Sequence, residues 1–173
     1  MPRHHERTRL SPASRFNKIR LPEDGVRSVI TFLATGAYVG LVPFAPGTVA
    51  SLLALPLLLL VERLALPAAG LAGLLAVVVV AAIPVCHLAG RAYGDADSRK
   101  IVLDEICGML VAGALIPPTA RSLALTFLLF RLLDIAKPFP ARLIDRRVKN
   151  GLGVVADDVV AGLYTNLLAR VLA

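Results

Sequence analysis

LALPAAGLAGLLAVVVVAAIPVCHLAG, residues 64–90, contains no Asp, Glu, Lys or Arg. A membrane span needs about 20 predominantly apolar residues, so this stretch predicts a spanning helix. A second uncharged stretch, Ser28 to Val61, is also long enough to span. It is broken by Pro43–Phe44–Ala45–Pro46–Gly47, and prolines end or kink helices. The expectation there is a short element, a loop at Pro43–Gly47 and a helix from about Thr48 to Val61. The whole chain agrees with that reading: 57% of its 173 residues are hydrophobic and 18% charged. A soluble domain carries about 45–50% and about 25%. With no Trp and three Tyr, the interfacial aromatic belt is thin, and Leu, Val and Ala carry the hydrophobicity.

The length suits one domain. Much of the net charge of +7 is local: Arg3, Arg7, Arg9, Arg15, Lys18, Arg20 and Arg27 face only Glu6, Glu23 and Asp24 in the first 27 residues. This predicts a basic cytoplasmic tail over 1–27, lying near anionic lipid, and a single helical domain over 28–173. No groove-reading or aromatic element accompanies the tail, which argues against a nucleic-acid partner. The basic region is too long for a signal peptide and no small-residue cleavage site follows it. Cys86 and Cys107 lie in apolar segments without metal-ligand or redox spacing and read as reduced core residues.

Beyond residue 90, a polar loop is expected over Arg91–Lys100 and an apolar helix over Ile101–Ile116, stopping at Pro117–Pro118. A further helix follows from Ser122 to about Ile135, then a basic loop from Lys137 to Gly151. A last helix covers roughly Gly153–Leu172. The two middle helices are each too short to span alone and form either a hairpin or a re-entrant pair. The basic segments at the tail, 91–100 and 137–149 then fall on one side, which the positive-inside rule makes cytoplasmic.

Of twelve acidic residues, six lie in or beside apolar helices: Asp104, Glu105, Asp134, Asp145, Asp157 and Asp158. A carboxylate at such a position costs about 2.5–3.5 kcal/mol on insertion scales, so it needs a partner and a use. Where the helix ends meet, these groups would repel one another and raise their pKa values unless a cation sits among them. Hard divalent ions take oxygen ligands, and magnesium is held by one or two carboxylates with waters and substrate phosphate. Arg131 and Asp134 share a helix face, Lys137 follows a turn later and Arg146 adjoins Asp145. Cations beside a metal suit a phosphate dianion. Buried structural salt bridges, such as Arg131 with Asp134, are the competing account of the same charges. Thr48 reads as an N-cap, and the free amides behind it favour an anion.

Other motifs fail on context. Asp95-Ala-Asp97 lacks the preceding strand of an aspartate-nucleophile phosphatase, and Gly151-Leu-Gly153-Val-Val-Ala156 lacks the βαβ surroundings of a dinucleotide site. The surviving blocks are FAPGTVAS (44–51), IVLDEICGM (101–109), FRLLDIAKPFPARLIDRR (130–147) and GLGVVADDVVAG (151–162). Together, and in this order, they resemble the phosphatidylglycerophosphatase A family over about Gly36–Gly162.

The resemblance implies an all-α, multihelical membrane-associated bundle with a central helix surrounded by others. It implies magnesium-dependent hydrolysis of phosphatidylglycerophosphate to phosphatidylglycerol and phosphate at the bacterial inner membrane, with the site facing the cytoplasm. Carried over by motif, Asp104, Glu105, Asp134 and Asp158 are candidate metal ligands or water activators. Arg131, Lys137 and Arg146 are phosphate binders supported by Thr48, while Asp157 (also a candidate metal ligand) and Asp145 suit either role. Two non-enzyme readings compete. A transporter would carry its carboxylates at mid-span, and a membrane assembly factor would release no phosphate.

Overall fold

The computed structural model describes residues 24–172, and among them the secondary structure is entirely helical. Most of the expected basic tail, residues 1–23, lies outside the described residues, and Asp24–Arg27 form the first turn of a helix. Seven α-helices follow in order: α1 (Asp24–Ala34), α2 (Pro46–Arg63), α3 (Ala68–Tyr93), α4 (Leu103–Gly113), α5 (Ala120–Ala136), α6 (Ala141–Arg147) and α7 (Gly151–Leu172). A 3₁₀ turn at Val39–Leu41 precedes α2.

Three of these helices, α2, α3 and α7, are long and apolar enough to cross a membrane. With 18, 26 and 22 residues, they are about 27, 39 and 33 Å long at ~1.5 Å per residue. A hydrocarbon core is about 30 Å thick. Their outward faces are Leu- and Val-rich and exposed, including Leu52, Leu60, Val77, Val80, Leu163 and Leu167. Pro56 and Pro84 lie inside α2 and α3, a tolerated placement where neighbouring helices re-satisfy the freed backbone groups.

Helix α4 occupies the centre and packs against α2, α3, α5 and α7. Asp104, Ile106, Cys107, Gly108, Met109, Leu110 and Ala112 are all buried on it. Its closest neighbour is α7, and small residues make the approach possible. A Cβ on Gly162 would collide with the Gly108 carbonyl oxygen, and one on Gly108 would stand 2.7 Å from the Asp158 carbonyl oxygen and from the Phe130 ring. Such small-residue contacts let helix backbones meet in a membrane, where lipid offers no hydrophobic drive for helices to associate.

The buried C-terminal end of α4 has its carbonyls satisfied from α7. Asn166 Nδ2 donates to Ala112 O at 2.9 Å and Ala114 O at 2.8 Å, and Arg170 Nη2 donates to Ala114 O at 3.1 Å. Those are the groups a helix end leaves unpaired. Thr119 and Ser122 then start α5 with a reciprocal capping box. Arg121 Nη2 bonds Leu172 O at 3.2 Å, so the start of α5 and the end of α7 share one end of the bundle. The opposite end collects the start of α2, the 94–102 loop and the 137–150 segment. Arg99 Nη2 donates to Pro43 O at 2.9 Å and Val102 N to Ala34 O at 2.9 Å there.

Several boundaries differ from expectation. The segment 137–151 is not all loop: a short helix starts after Pro140 and anchors on the buried Ala141. Helix α2 starts two residues before Thr48, because Pro46 with its preset φ takes the first helical position behind Ala45 (φ 44°). Thr48 is therefore within the first turn rather than the N-cap, and no side chain caps this helix. Helix α7 begins at Gly151, where Asn150 Oδ1 accepts from Leu152 N at 3.0 Å and Gly153 N at 3.2 Å.

Gly162→Ala is expected to wedge α4 from α7 and to cost about 1–3 kcal/mol as overpacking does. Gly73→Ala, with nothing within 4 Å of its added Cβ, is expected to be neutral or to stabilise by up to about 1 kcal/mol. Thermal unfolding in detergent reads both, and a Gly162→Ala protein that melts with wild type would refute the close crossing.

Candidate active site

The crossing of α4 and α7 sets the Asp104–Glu105 pair beside Asp158. One carboxylate oxygen from each lies within 4.8 Å of the other two, the spacing of ligands around a single ion. Asp104 and Asp158 are buried and Glu105 is half-buried. Asp104 Oδ1, Glu105 Oε2, Asp157 Oδ1 and Asp158 Oδ2 are buried and, among the described residues, have no hydrogen-bond partner. A buried polar atom left unsatisfied costs about 1–3 kcal/mol, and more when charged. Burial pushes the Asp104 carboxyl well above the ordinary carboxylate range, with the charges of Glu105 and Asp158 adding to it. Glu105 is raised too, by burial first.

Two more carboxylates of the expected set border this group and are held by cations. Arg131 Nη1 pairs with Asp134 Oδ2 at 2.8 Å and reaches Ser51 Oγ at 3.4 Å. Asp134 is near enough to Glu105 and Asp158 for its charge to act on both. Lys137 Nζ donates to Asp157 Oδ2 and lies 3.2 Å from Asp145 Oδ1. Burial works against the Lys137 charge, but Asp157 and Asp145 outweigh it and hold the ammonium pKa above the usual lysine value. Partial burial likewise opposes the Asp145 charge, and Lys137 and Lys149 outweigh that and lower its pKa. Lys137 itself has φ 45°, a conformation costing a non-glycine residue about 1–3 kcal/mol and concentrated at functional sites.

Helix α2 contributes its N-terminus. A Cβ on Gly47 would collide with Glu105 Oε1 and lie 3.5 Å from Arg131 Nη1, so the first turn of α2 lies directly against these two side chains. Thr48 is next in that turn and makes no side-chain hydrogen bond among the described residues. Ser51 Oγ, donating to Gly47 O at 2.9 Å, is the residue on this helix that meets Arg131. The PGTVAS block contained it, but only the structure shows which cation it serves.

Arg146 stands apart from the acids. It is exposed and, among the described residues, has no hydrogen-bond or ion-pair partner. With Lys137, Pro138, Phe139, Arg142 and Leu143 it lines a surface cavity of about 380 Å³. Sequence reasoning passed over Arg142. Its spacing of four from Arg146 is a usable signal only once 141–147 is known to be helical.

Comparison with known proteins gives one family. The model of the family described as Phosphatidylglycerophosphatase A matches residues 32–173. Phosphatidylglycerophosphatase A of Escherichia coli is 36% identical over 134 residues, 77% of this chain and 77% of that protein. The Haemophilus influenzae protein of the same name is 40% identical over 83 residues, 46% of this chain and 51% of its own length. A Bacteroides thetaiotaomicron protein named for phosphatidylinositol-3-phosphatase is 34% identical over 146 residues, covering 80% of this chain and 90% of that one. No solved structure matches the chain.

The raised Asp104 and Glu105 pKa values fix the sign of a stability measurement. An acid whose folded pKa exceeds its unfolded value loses stability as pH rises from the unfolded pKa through the folded one. Chelator-treated protein should therefore melt lower at pH 8 than at pH 5. Asp104→Asn should raise the melting temperature at pH 8 and shrink that difference. Equal melting of both proteins at both pH values would show that these carboxyls do not strain the fold.

Proposed function

The chain belongs to the phosphatidylglycerophosphatase A family, named for a phosphoric monoester hydrolase, and from that premise we propose that it removes the terminal phosphate of phosphatidylglycerophosphate. The products are phosphatidylglycerol and inorganic phosphate, and the reaction uses magnesium. The observation that carries this reading is the set of buried, unpartnered carboxylate oxygens gathered where α2, α4, α5 and α7 meet, with two cations at its edge.

The donor set fits the ion. All donors are hard carboxylate oxygens, the kind magnesium prefers. Asp104, Glu105 and Asp158 would hold it. When bound, it would supply positive charge to the cluster, polarise the phosphoryl group and lower the pKa of a water. Arg131, anchored by Asp134, presents a guanidinium whose Nε is buried without a partner among the described residues. That planar donor suits two phosphate oxygens at once. Lys137, kept charged by Asp157 and Asp145, supplies a second cation for the dianion. The first-turn amides of α2, at Gly47 and Thr48, have no intrahelical carbonyl to bond and favour an anion there. Together these groups neutralise the charge that builds on the phosphoryl oxygens as the ester breaks.

Placement in the bilayer follows the charges. The site end carries Arg91, Arg99, Lys100, Lys137 and the α6 arginines, while the far end carries Arg63, Arg121 and Arg170. The positive-inside rule puts the richer end in the cytoplasm, so the site faces the cytoplasmic side of a bacterial inner membrane. The three long apolar helices support the membrane part of this reading. Phosphatidylglycerophosphate is then reached from within its own leaflet.

Phosphate release from phosphatidylglycerophosphate in detergent, with and without magnesium, tests the proposal. Wild type should release phosphate only with magnesium, Asp104→Asn should lose it while staying helical, and Arg131→Ala should lower kcat by about 10²–10³-fold. A folded wild type that releases no phosphate from this lipid would sink the assignment.

A further inference from the structure

The proposed substrate carries two phosphates on one glycerol: the terminal monoester, which is cleaved, and an internal diester, which is not. The acid cluster with Arg131 and Lys137 accounts for the first. At the α5–α6 corner is a second basic feature that the hydrolytic step does not use. Arg142 and Arg146 are four apart on α6, so they share a face. They line the cavity of about 380 Å³ together with Lys137, Phe139 and Leu143. No carboxylate pairs with either guanidinium among the described residues. Arg142 Nη2 donates to Ala136 O at 3.2 Å, which orients the group and leaves its other donors free. Tyr164 pins the corner to α7 by donating to Phe139 O at 2.9 Å.

Two further observations tie this cavity to a lipid on its way to the cluster. Lys137 lines the cavity while its ammonium bonds Asp157, the sequence neighbour of Asp158, so one side chain links the cavity to the acid group. Leu128, Leu132 and Ile135 form an exposed stripe on α5, at spacings of four and three, and Phe139, which lines the cavity, is exposed just beyond the end of that helix. Ile135 is 73% exposed and Phe139 77%. Apolar side chains at that spacing cover one helix face. An apolar track ending in a pair of free guanidinium groups, with a phosphatase-like cluster one lysine beyond, matches the order of parts in the lipid.

We infer that the α5–α6 corner is a phosphodiester subsite: Arg142 and Arg146 hold the substrate's internal phosphate while its acyl chains lie along the α5 stripe. The inference rests on the functional reading above. Guanidinium is the apt group, since its planar fork matches two phosphate oxygens. The subsite makes Arg142 and Arg146 specificity residues, which favour a headgroup bearing a diester behind its monoester.

Inhibition kinetics separate the two phosphates. With phosphatidylglycerophosphate as substrate in neutral detergent micelles, phosphatidylglycerol carries the diester alone and inorganic phosphate stands for the monoester. Both should inhibit wild type competitively. Arg142→Gln should raise the inhibition constant for phosphatidylglycerol by about tenfold, as loss of a charged hydrogen bond does. The constant for inorganic phosphate should stay near its wild-type value, and Arg142→Lys should fall between. Circular dichroism checks that each variant is folded, and Arg146→Gln gives the same readout should Arg142→Gln fail to fold. If phosphatidylglycerol does not inhibit wild type, if neither constant moves, or if both rise in parallel, the subsite is wrong. Wild type that releases no phosphate at all instead overturns the functional reading, and the subsite falls with it.

Discussion

The close crossing of α4 and α7 is the contact on which the rest of the structure depends. Gly108 and Gly162 let the two backbones meet with no side chain between them. That approach sets Asp104 and Glu105, in the first turn of α4, against Asp158 in the second turn of α7. A larger residue at either glycine would push one pair of acids away from the other. The surrounding helices fill in around this axis: α2 brings its N-terminus through Gly47, and α5 brings Arg131 and Asp134. At the far end, Asn166 and Arg170 of α7 bind the last carbonyls of α4 and fix its register along the same axis.

Concentrating acids at that axis opposes folding, and the protein offsets the cost only in part. Arg131 and Lys137 neutralise Asp134 and Asp157, the two carboxylates at the edge of the group. Among the described residues no cation forms an ion pair with the central three, and burial raises Asp104 and Glu105. A fold selected for stability alone would place apolar residues there, since buried ionic groups are often matched or bettered by hydrophobic ones. Ala45 and Lys137, at the borders of the site, are both held at positive φ, a conformation that Ala65 and Leu115 also adopt at the far end. The cost concentrated at one place is that of the buried acids, and such a local violation of packing rules is the physical mark of a site held ready for a ligand.

Much of this was legible in the sequence, for identifiable reasons. Uninterrupted apolar length announces a membrane helix without help from tertiary contacts, so 64–90 was recognisable as α3. The acids were visible because carboxylates inside LDEICG and VADDVV have no cheap explanation. What stayed hidden was set by contacts between segments distant in sequence. Val102 N bonds Ala34 O, which delays the start of α4 to Leu103. The reading of Thr48 as a cap overlooked Pro46, whose fixed φ starts the helix earlier. Helix α6 was missed because seven residues rich in arginine resemble a loop until Ala141 is seen to be buried. Nor could spacing alone sort five acids into three that share a metal-sized gap and two that are held by cations.

The direction of the chain explains why the chemistry lies at one end. Helices α2, α4 and α7 start there, and α3 and α5 finish there. That end therefore collects the N-terminal amides of three helices, which carry positive partial charge. Asp104 and Glu105 lie in the first turn of α4, where this charge is felt, and Gly47 and Thr48 open α2 beside them. The same amides that favour buried carboxylates would also favour a phosphate. A site built on helix starts therefore serves its own acids and an anionic substrate with one arrangement, and the basic corner at α5–α6 extends that positive field towards the lipid-facing surface along which a phospholipid would arrive.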